Sequence, residues 1–166
     1  MSKYTDAWLS GFVGGEGCFA LNVYRHTKTG YNTVVANFSV KLRRDDEKII
    51  HLLKDRLDCG VIYYADAYLQ TKPSIYYSAA KIADLQEKVI PFFSENPMLN
   101  KKHSDFEIFK KGIAFIYEGQ KRNRVKTKKL RGHARWSEND WEYIKSIGKQ
   151  LMENRNYNLR TANQIE

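Results

Sequence analysis

The segment Trp8-Leu9-Ser10-Gly11-Phe12-Val13-Gly14-Gly15-Glu16-Gly17 constrains this chain more than any other stretch. At helical spacing Ala7, Ser10, Gly11 and Gly14 fall at i, i+3, i+4 and i+7, so one helix face carries only small side chains. Glycine within a helix costs roughly 1 kcal/mol relative to alanine, and a helix that only covered a sheet would be better served by leucine or isoleucine. The small face suits a second helix whose backbone approaches inside the usual separation of about 8–10 Å. The helix is expected to stop at Gly14-Gly15, leaving Glu16 just beyond its C-terminal end. Partial negative charge at that end makes a carboxylate unfavourable unless a cation neutralises it, which points to a metal site.

After Gly17 the period changes from 3.6 to 2. Phe19, Leu21 and Val23 alternate with Cys18, Ala20, Asn22 and Tyr24, the pattern of a strand with one buried face. Beyond the polar loop His26-Thr27-Lys28-Thr29-Gly30, a second run from Thr33 to Arg43 alternates again. There Ala36, Phe38, Val40 and Leu42 stand against Asn37, Ser39, Lys41 and Arg43, and the two runs read as a hairpin. Its polar face is rich in side chains that hydrogen-bond phosphates and base edges; the same composition describes a solvated sheet face.

Asp45 or Asp46 then starts a helix as N-cap, with Ile49, Ile50, Leu52, Leu53 and Leu57 as its core stripe and Asp58-Cys59-Gly60 closing it. Val61 to Tyr64 and Ser74 to Ser78 form a second strand pair around a long loop containing Pro73. A third helix runs through Ile82, Leu85, Val89, Ile90 and Phe93 and ends before Pro97. Ser137-Glu138-Asn139-Asp140 has the form of a capping box opening a last helix, with Trp141, Ile144, Ile147 and Leu151 inward. The tail after Asn154 is polar.

A length of 166 residues suits one domain, 1–166, with a core over about 4–118, a basic segment over 121–135 and a C-terminal helix over about 137–154. The net charge of +9 is concentrated in residues 101–166, which hold 16 Lys and Arg against 8 Asp and Glu, whereas residues 1–100 hold 12 against 11. Such asymmetry points to a polyanionic partner. The segment from Lys121 to Arg135 holds eight of those cations with hardly an apolar residue, so it is expected to be mobile until Lys126, Lys128, Lys129 and Arg131 meet phosphates. A solvated linker has the same composition. No run approaches 18 uninterrupted apolar residues, so a membrane span is not expected. The Met-Ser-Lys start lacks an apolar signal core, and two cysteines make neither a disulfide framework nor a zinc cluster. The expected setting is therefore a reducing, intracellular one, an organelle (chloroplast or mitochondrion) or a microbial cytoplasm, with the choice between them left open.

The Trp8–Gly17 run resembles the signature of the LAGLIDADG homing endonucleases. Leu9, Gly11 and Gly17 match its letters, Ser10, Phe12 and Val13 are ordinary substitutes, and Glu16 takes the position of the metal-binding acid. The first acidic position is Gly14 here, a departure from the motif. The order of elements matches the family's plan: an α+β fold, αββαββα, whose four-stranded antiparallel sheet forms a saddle on DNA. Pro97-Met98-Leu99-Asn100-Lys101-Lys102 and the helix start after it resemble the stretch that carries the family's basic residue near the scissile phosphate. Lys102 is the first choice for that role and Lys101 the second; taken alone, the pair is two exposed charges ahead of a helix capped by Ser104.

The resemblance implies metal-dependent hydrolysis of both strands of double-stranded DNA, with Glu16 and the Gly15 carbonyl as oxygen ligands. Such ligands suit Mg²⁺, with Mn²⁺ as substitute. Residues 18–166 contain no second copy of the motif, so the family's two-acid site calls for a homodimer with Ala7, Ser10, Gly11 and Gly14 as its seam and a long pseudo-palindromic target. Cys18, Ala20, Asn22, Tyr24, Asn37, Ser39, Lys41, Arg43 and Tyr77 are expected to face the DNA. Two alternatives share the fold: a maturase acting on intron RNA, and a DNA-binding regulator without catalysis.

Overall fold

In a computed structural model the described residues are 3–28, 30–67, 72–126 and 136–162. The element order is α1 (Lys3–Glu16), β1 (Gly17–Arg25), β2 (Asn32–Arg43), a 3₁₀ turn (Arg44–Asp46), α2 (Glu47–Leu57), β3 (Val61–Ala65) and β4 (Ser74–Ala79). A helix α3 follows in three joined pieces, Ile82–Asp84, a π turn Leu85–Val89, and Ile90–Glu95. Then come α4 (Lys102–Lys126) and α5 (Glu138–Ala162). The strands form one four-stranded sheet in the order β1-β2-β4-β3, with β4 antiparallel to both β2 and β3. This is the mixed α+β arrangement expected of the sequence.

The chain divides into two compact units, one of Met1–Phe19 with Ala36–His103 and the other of Ala20–Val35 with Ser104–Glu166. In the first, the buried parities of the strands meet the helix stripes: Phe19 stacks on Phe38 with ring centroids 4.9 Å apart, and Phe93 meets both rings edge-on. Ile50, Leu53 and Leu57 of α2 are buried, while Ile49 and Leu52 flank them half-buried. Asp46 occupies the N-cap position of α2 without a side-chain cap hydrogen bond, and the helix ends on Asp58 in the left-handed region at φ 49°. Gly60 is glycine of necessity: its φ is 76°, and a Cβ would lie 2.8 Å from the Ser78 carbonyl oxygen. The π turn in α3 ends just before Pro91, which has no N–H for the regular ladder, so the widened turn accommodates the missing donor.

The second unit packs Leu21 of β1 against α4 and α5. A Cβ on Gly112 would lie 2.6 Å from Leu21 Cδ1 and 2.9 Å from Ile147 Cγ2, and one on Gly148 would lie 2.7 Å from the Leu21 carbonyl oxygen. The two glycines let both helices close on one strand residue. Helix α5 opens with a reciprocal cap: Asp140 N donates to Ser137 Oγ at 3.2 Å, and Ser137 N donates to Asp140 Oδ2 at 2.9 Å. The Ser137 hydroxyl, which donates to Asp140 Oδ2 at 2.8 Å, and then Ser137 N hold the Asp140 carboxyl below the ordinary carboxylate range. Helix α4 runs on through Lys126, so residues 121–126 of the basic segment are helical where chain mobility was expected. At the start of that stretch the Lys121 ammonium lies 4.1 Å above the Tyr117 ring and 3.6 Å from Glu118, pairs that favour the helix there.

Helix α1 is tied to α2 by a two-pronged ion pair in which Arg56 Nε and Nη2 donate to Asp6 at 2.5 and 2.7 Å. The guanidinium hydrogen bonds hold the Asp6 carboxyl below its usual range. A depressed carboxylate contributes stability above its unfolded pKa of about 3.9 and loses it as pH falls through the folded value. Asp6→Asn is therefore expected to lower unfolding free energy by about 1–2 kcal/mol at neutral pH. It should also flatten the acid limb of the stability curve, as measured by urea titration across pH.

Candidate functional site

The candidate site grows from the end of α1. The helix continues through Gly14 and Gly15 to Glu16, one residue past the expected stop, and β1 starts at the next residue. Gly17 makes that junction possible: a Cβ there would lie 2.6 Å from the Val13 carbonyl oxygen and 2.5 Å from its Cγ1. Glu16 and Gly15 are both exposed at the helix end. Leu9 and Val13, two turns and one turn earlier on the same side of the helix as Glu16, are fully buried, so the helix leaves the core only at its last residues.

The small-residue face divides in two. Ser10 is 1% exposed and donates its hydroxyl to the Asn96 carbonyl at 2.5 Å. Gly14 is buried against Asn100, whose Nδ2 would lie 2.7 Å from a Cβ at that position. Both face the chain's own Asn96–Asn100 loop, so they leave the seam assigned to them. Ala7, Gly11 and Gly15 are exposed at i, i+4 and i+8, and an added Cβ on Gly11 or Gly15 would meet nothing within 4 Å. The open stripe is flanked by Trp8, 51% exposed and stacked on Phe12 with centroids 5.5 Å apart.

The same loop accounts for Gly14. Asn100 takes the space that an aspartate would fill and organises the start of α4, where Lys102 N donates to its Oδ1 at 3.1 Å and His103 N to its carbonyl at 3.0 Å. The helix thus begins two residues before Ser104, and Asn100, which sequence reading passed over, does the capping. Lys101 is exposed and Lys102 half-buried in this first turn. The contact of Asn100 with Gly14 brings the lysine pair to the α1 end that carries Glu16.

On the sheet, Cys18, Ala20, Asn22 and Tyr24 alternate with buried Phe19 and Leu21 as expected, and so do Asn37, Ser39, Lys41 and Arg43 with Ala36, Phe38 and Val40. Tyr77 is a correction. It is 0% exposed on the core face, and its hydroxyl donates to the Cys59 carbonyl at 3.1 Å. Burial raises its pKa far above the ordinary tyrosine value. The residues of β4 on the open face are Tyr76 and Ser78: the register pairs Lys41 with Tyr76 and Tyr76 with Tyr63, and Ser39 with Ser78. The Lys41 ammonium lies 4.7 Å from the Tyr76 ring centroid, and Ser78 Oγ donates to Asn37 Oδ1 at 2.7 Å. The buried neighbours Ile75 and Ala79, at the same parity as Tyr77, carried the signal that separates the two tyrosines. Lys126 is the last residue of α4, and Lys128, Lys129 and Arg131 lie outside the described residues.

Among the described residues no group of three or more His, Cys, Asp and Glu could hold a metal. One chain offers an exposed carboxylate at Glu16 and the adjoining Gly15 carbonyl, a donor set of hard oxygens suited to a divalent cation such as Mg²⁺ but incomplete alone. Among those residues no helix is long and apolar enough to cross a membrane.

An exposed acid at the end of a glycine-bearing helix that feeds directly into an antiparallel sheet defines the class: the chain belongs to the LAGLIDADG homing endonuclease family, matching the family model "LAGLIDADG endonuclease" over residues 9–113. It is 28% identical over 130 residues to the probable intron-encoded endonuclease Cox1-I1b of Schizosaccharomyces pombe, covering 78% of this chain and 32% of that protein. It is 31% identical over 117 residues to an uncharacterised 50.9 kDa protein in ND4 intron 1 of Podospora anserina, covering 67% of this chain and 24% of that one. The chain thus spans about a quarter to a third of these relatives' length. Among solved structures, the homing endonuclease I-TnaI superposes with a TM-score of 0.66 at 23% identity, over 92% of this chain and 96% of its own. The meganuclease I-SmaMI bound to uncleaveable DNA gives 0.67 at 23% identity, over 87% of this chain and 43% of its own.

The contact between Gly14 and Asn100 predicts a non-additive pair. Gly14→Ala pushes the Asn100 side chain off Lys102 N and should cost about 1 kcal/mol of stability, the value of one hydrogen bond. In an Asn100→Gly background the same substitution should cost less, a coupling that a double-mutant cycle by chemical denaturation measures.

Proposed function

We propose that this chain is a site-specific DNA endonuclease that works as a two-fold pair and cuts both strands of a long pseudo-palindromic duplex. The observation that carries the reading is the exposure of Glu16 beside the open stripe Ala7-Gly11-Gly15. Helices from two copies can meet along that stripe at close range, bringing the two Glu16 carboxylates together. The like charges repel at two negative helix ends, and a divalent cation relieves the repulsion.

Glu16 and the Gly15 carbonyl hold Mg²⁺ in this reading, and Mn²⁺ substitutes. The cation's contribution is to polarise a phosphate oxygen and lower the pKa of bound water. Lys102, or Lys101 next to it, stabilises the charge that develops on the phosphate. Asn100 is a positioning residue, because it fixes the first turn that carries both lysines. The open sheet face, including Lys41, Ser39 and Tyr76, addresses the major groove. An I-SmaMI structure bound to uncleaved DNA in the presence of calcium ions supports a DNA partner and a divalent metal here. Relatives named for introns support an intracellular setting, organellar or microbial.

Cleavage of DNA carrying the sequence that flanks the reading frame, with Mg²⁺, tests the chemistry. Glu16→Gln should abolish cutting while duplex binding persists, and a variant that cuts at the normal rate overturns the site. Binding of structured intron RNA without DNA cleavage by the unaltered chain would favour the maturase reading instead. Gly11→Leu tests the pairing separately. A Cβ at that position meets nothing within 4 Å and the residue is exposed, so the monomer should melt little changed, yet light scattering should report one copy in place of two and cleavage should be lost. A Gly11→Leu chain that still pairs would rule out the stripe as the seam.

A further inference from the structure

Within the second unit, α5 and β1 enclose a groove of about 400 Å³ lined by Asn22, Val23, Lys145, Lys149, Met152 and Glu153. The closeness of the two elements is built in, since the helix backbone at Gly148 rests on the Leu21 carbonyl with no room for a Cβ. That contact fixes the neighbouring positions Lys145 and Lys149 beside Asn22. Asn22 lies on the open parity of β1, alternating with buried Leu21 and continuing to exposed Tyr24.

We infer that Lys145 and Lys149 bind the phosphate backbone of duplex DNA, so that α5 extends the nucleic-acid surface past the edge strand β1. This rests on the endonuclease reading. The lysines are one helical turn apart, which sets their Cβ atoms about 5–6 Å from each other. That separation suits successive phosphates of one strand, which advance about 3.4 Å along the axis and stand further apart along the backbone. The present partner of Lys149 is easily displaced: Glu153 Oε1 is 3.7 Å away, with side-chain exposures of 76% and 64%, a screened pair worth little. An anionic membrane does not fit, because the apolar stripe of α5, Ile144, Ile147 and Leu151, is buried within the protein. The surface offered outward is two ammonium groups, one carboxylate and an amide around the exposed thioether of Met152, too small an apolar area to insert into a bilayer.

The test is fluorescence anisotropy on several labelled duplexes of arbitrary sequence, read across a salt series. Lys145→Gln combined with Lys149→Gln should weaken binding by a similar factor, about tenfold, on every duplex and reduce the log–log salt slope by about 1–2, since each lost phosphate contact removes about 0.9. Glu153→Gln should tighten binding. All three side chains are solvent-exposed, so circular dichroism melts should match the unaltered chain. An unchanged slope in the double variant, or a loss confined to one duplex, overturns the inference while leaving the endonuclease reading intact. Failure of the unaltered chain to bind any duplex overturns both.

Discussion

The junction at Gly17 governs this structure. A helix ordinarily leaves its last carbonyls for a turn to satisfy, yet here β1 begins on the residue after α1. Only the absence of a Cβ lets Gly17 lie against the Val13 carbonyl. The abrupt change of period fixes two things at once: Glu16 is left exposed at the helix end, and the parity of β1 is set so that Phe19 and Leu21 face inward. A residue inserted at the junction would reverse that parity and exchange core for open face along the whole strand.

The second organising contact is the Asn96–Asn100 loop against α1. Ser10 is spent on the Asn96 carbonyl and Gly14 on the Asn100 side chain, so half of the small face serves the chain's own packing. The other half stays open. The same loop starts α4, and through Asn100, which abuts Gly14, it ties the turn before the lysine pair to the last turn of α1. The departure from the family motif at Gly14 is compensated by an amide from elsewhere in the chain.

Much of the fold was legible because it rests on period. The parities of β1 and β2, the buried stripe of α2 and the cap at Ser137 follow from residues whose neighbours in sequence are also their neighbours in space. Tyr77 and Tyr76 obey it too: adjacent tyrosines have the same intrinsic preferences, and the parity that Tyr77 shares with apolar Ile75 and Ala79, against Ser74 and Ser78 for Tyr76, marks which one is buried. Ser10 and Gly14 show where period fails. Four small residues on one helix face say that something approaches closely, but not whether it is a second copy or a loop some ninety residues further on.

By itself, then, the sequence determined the motif helix, the acid at its end, the alternation of the strands and the membership of the family, all of which depend on spacing along the chain. The tertiary structure decided which small residues stay open, that Asn100 stands in for a side chain at Gly14, and that α5 rests its lysines beside Asn22. Each of these is a contact between residues distant in sequence. Local propensity carries no record of such partners, because the free energy that selects them exists only once the chain is packed.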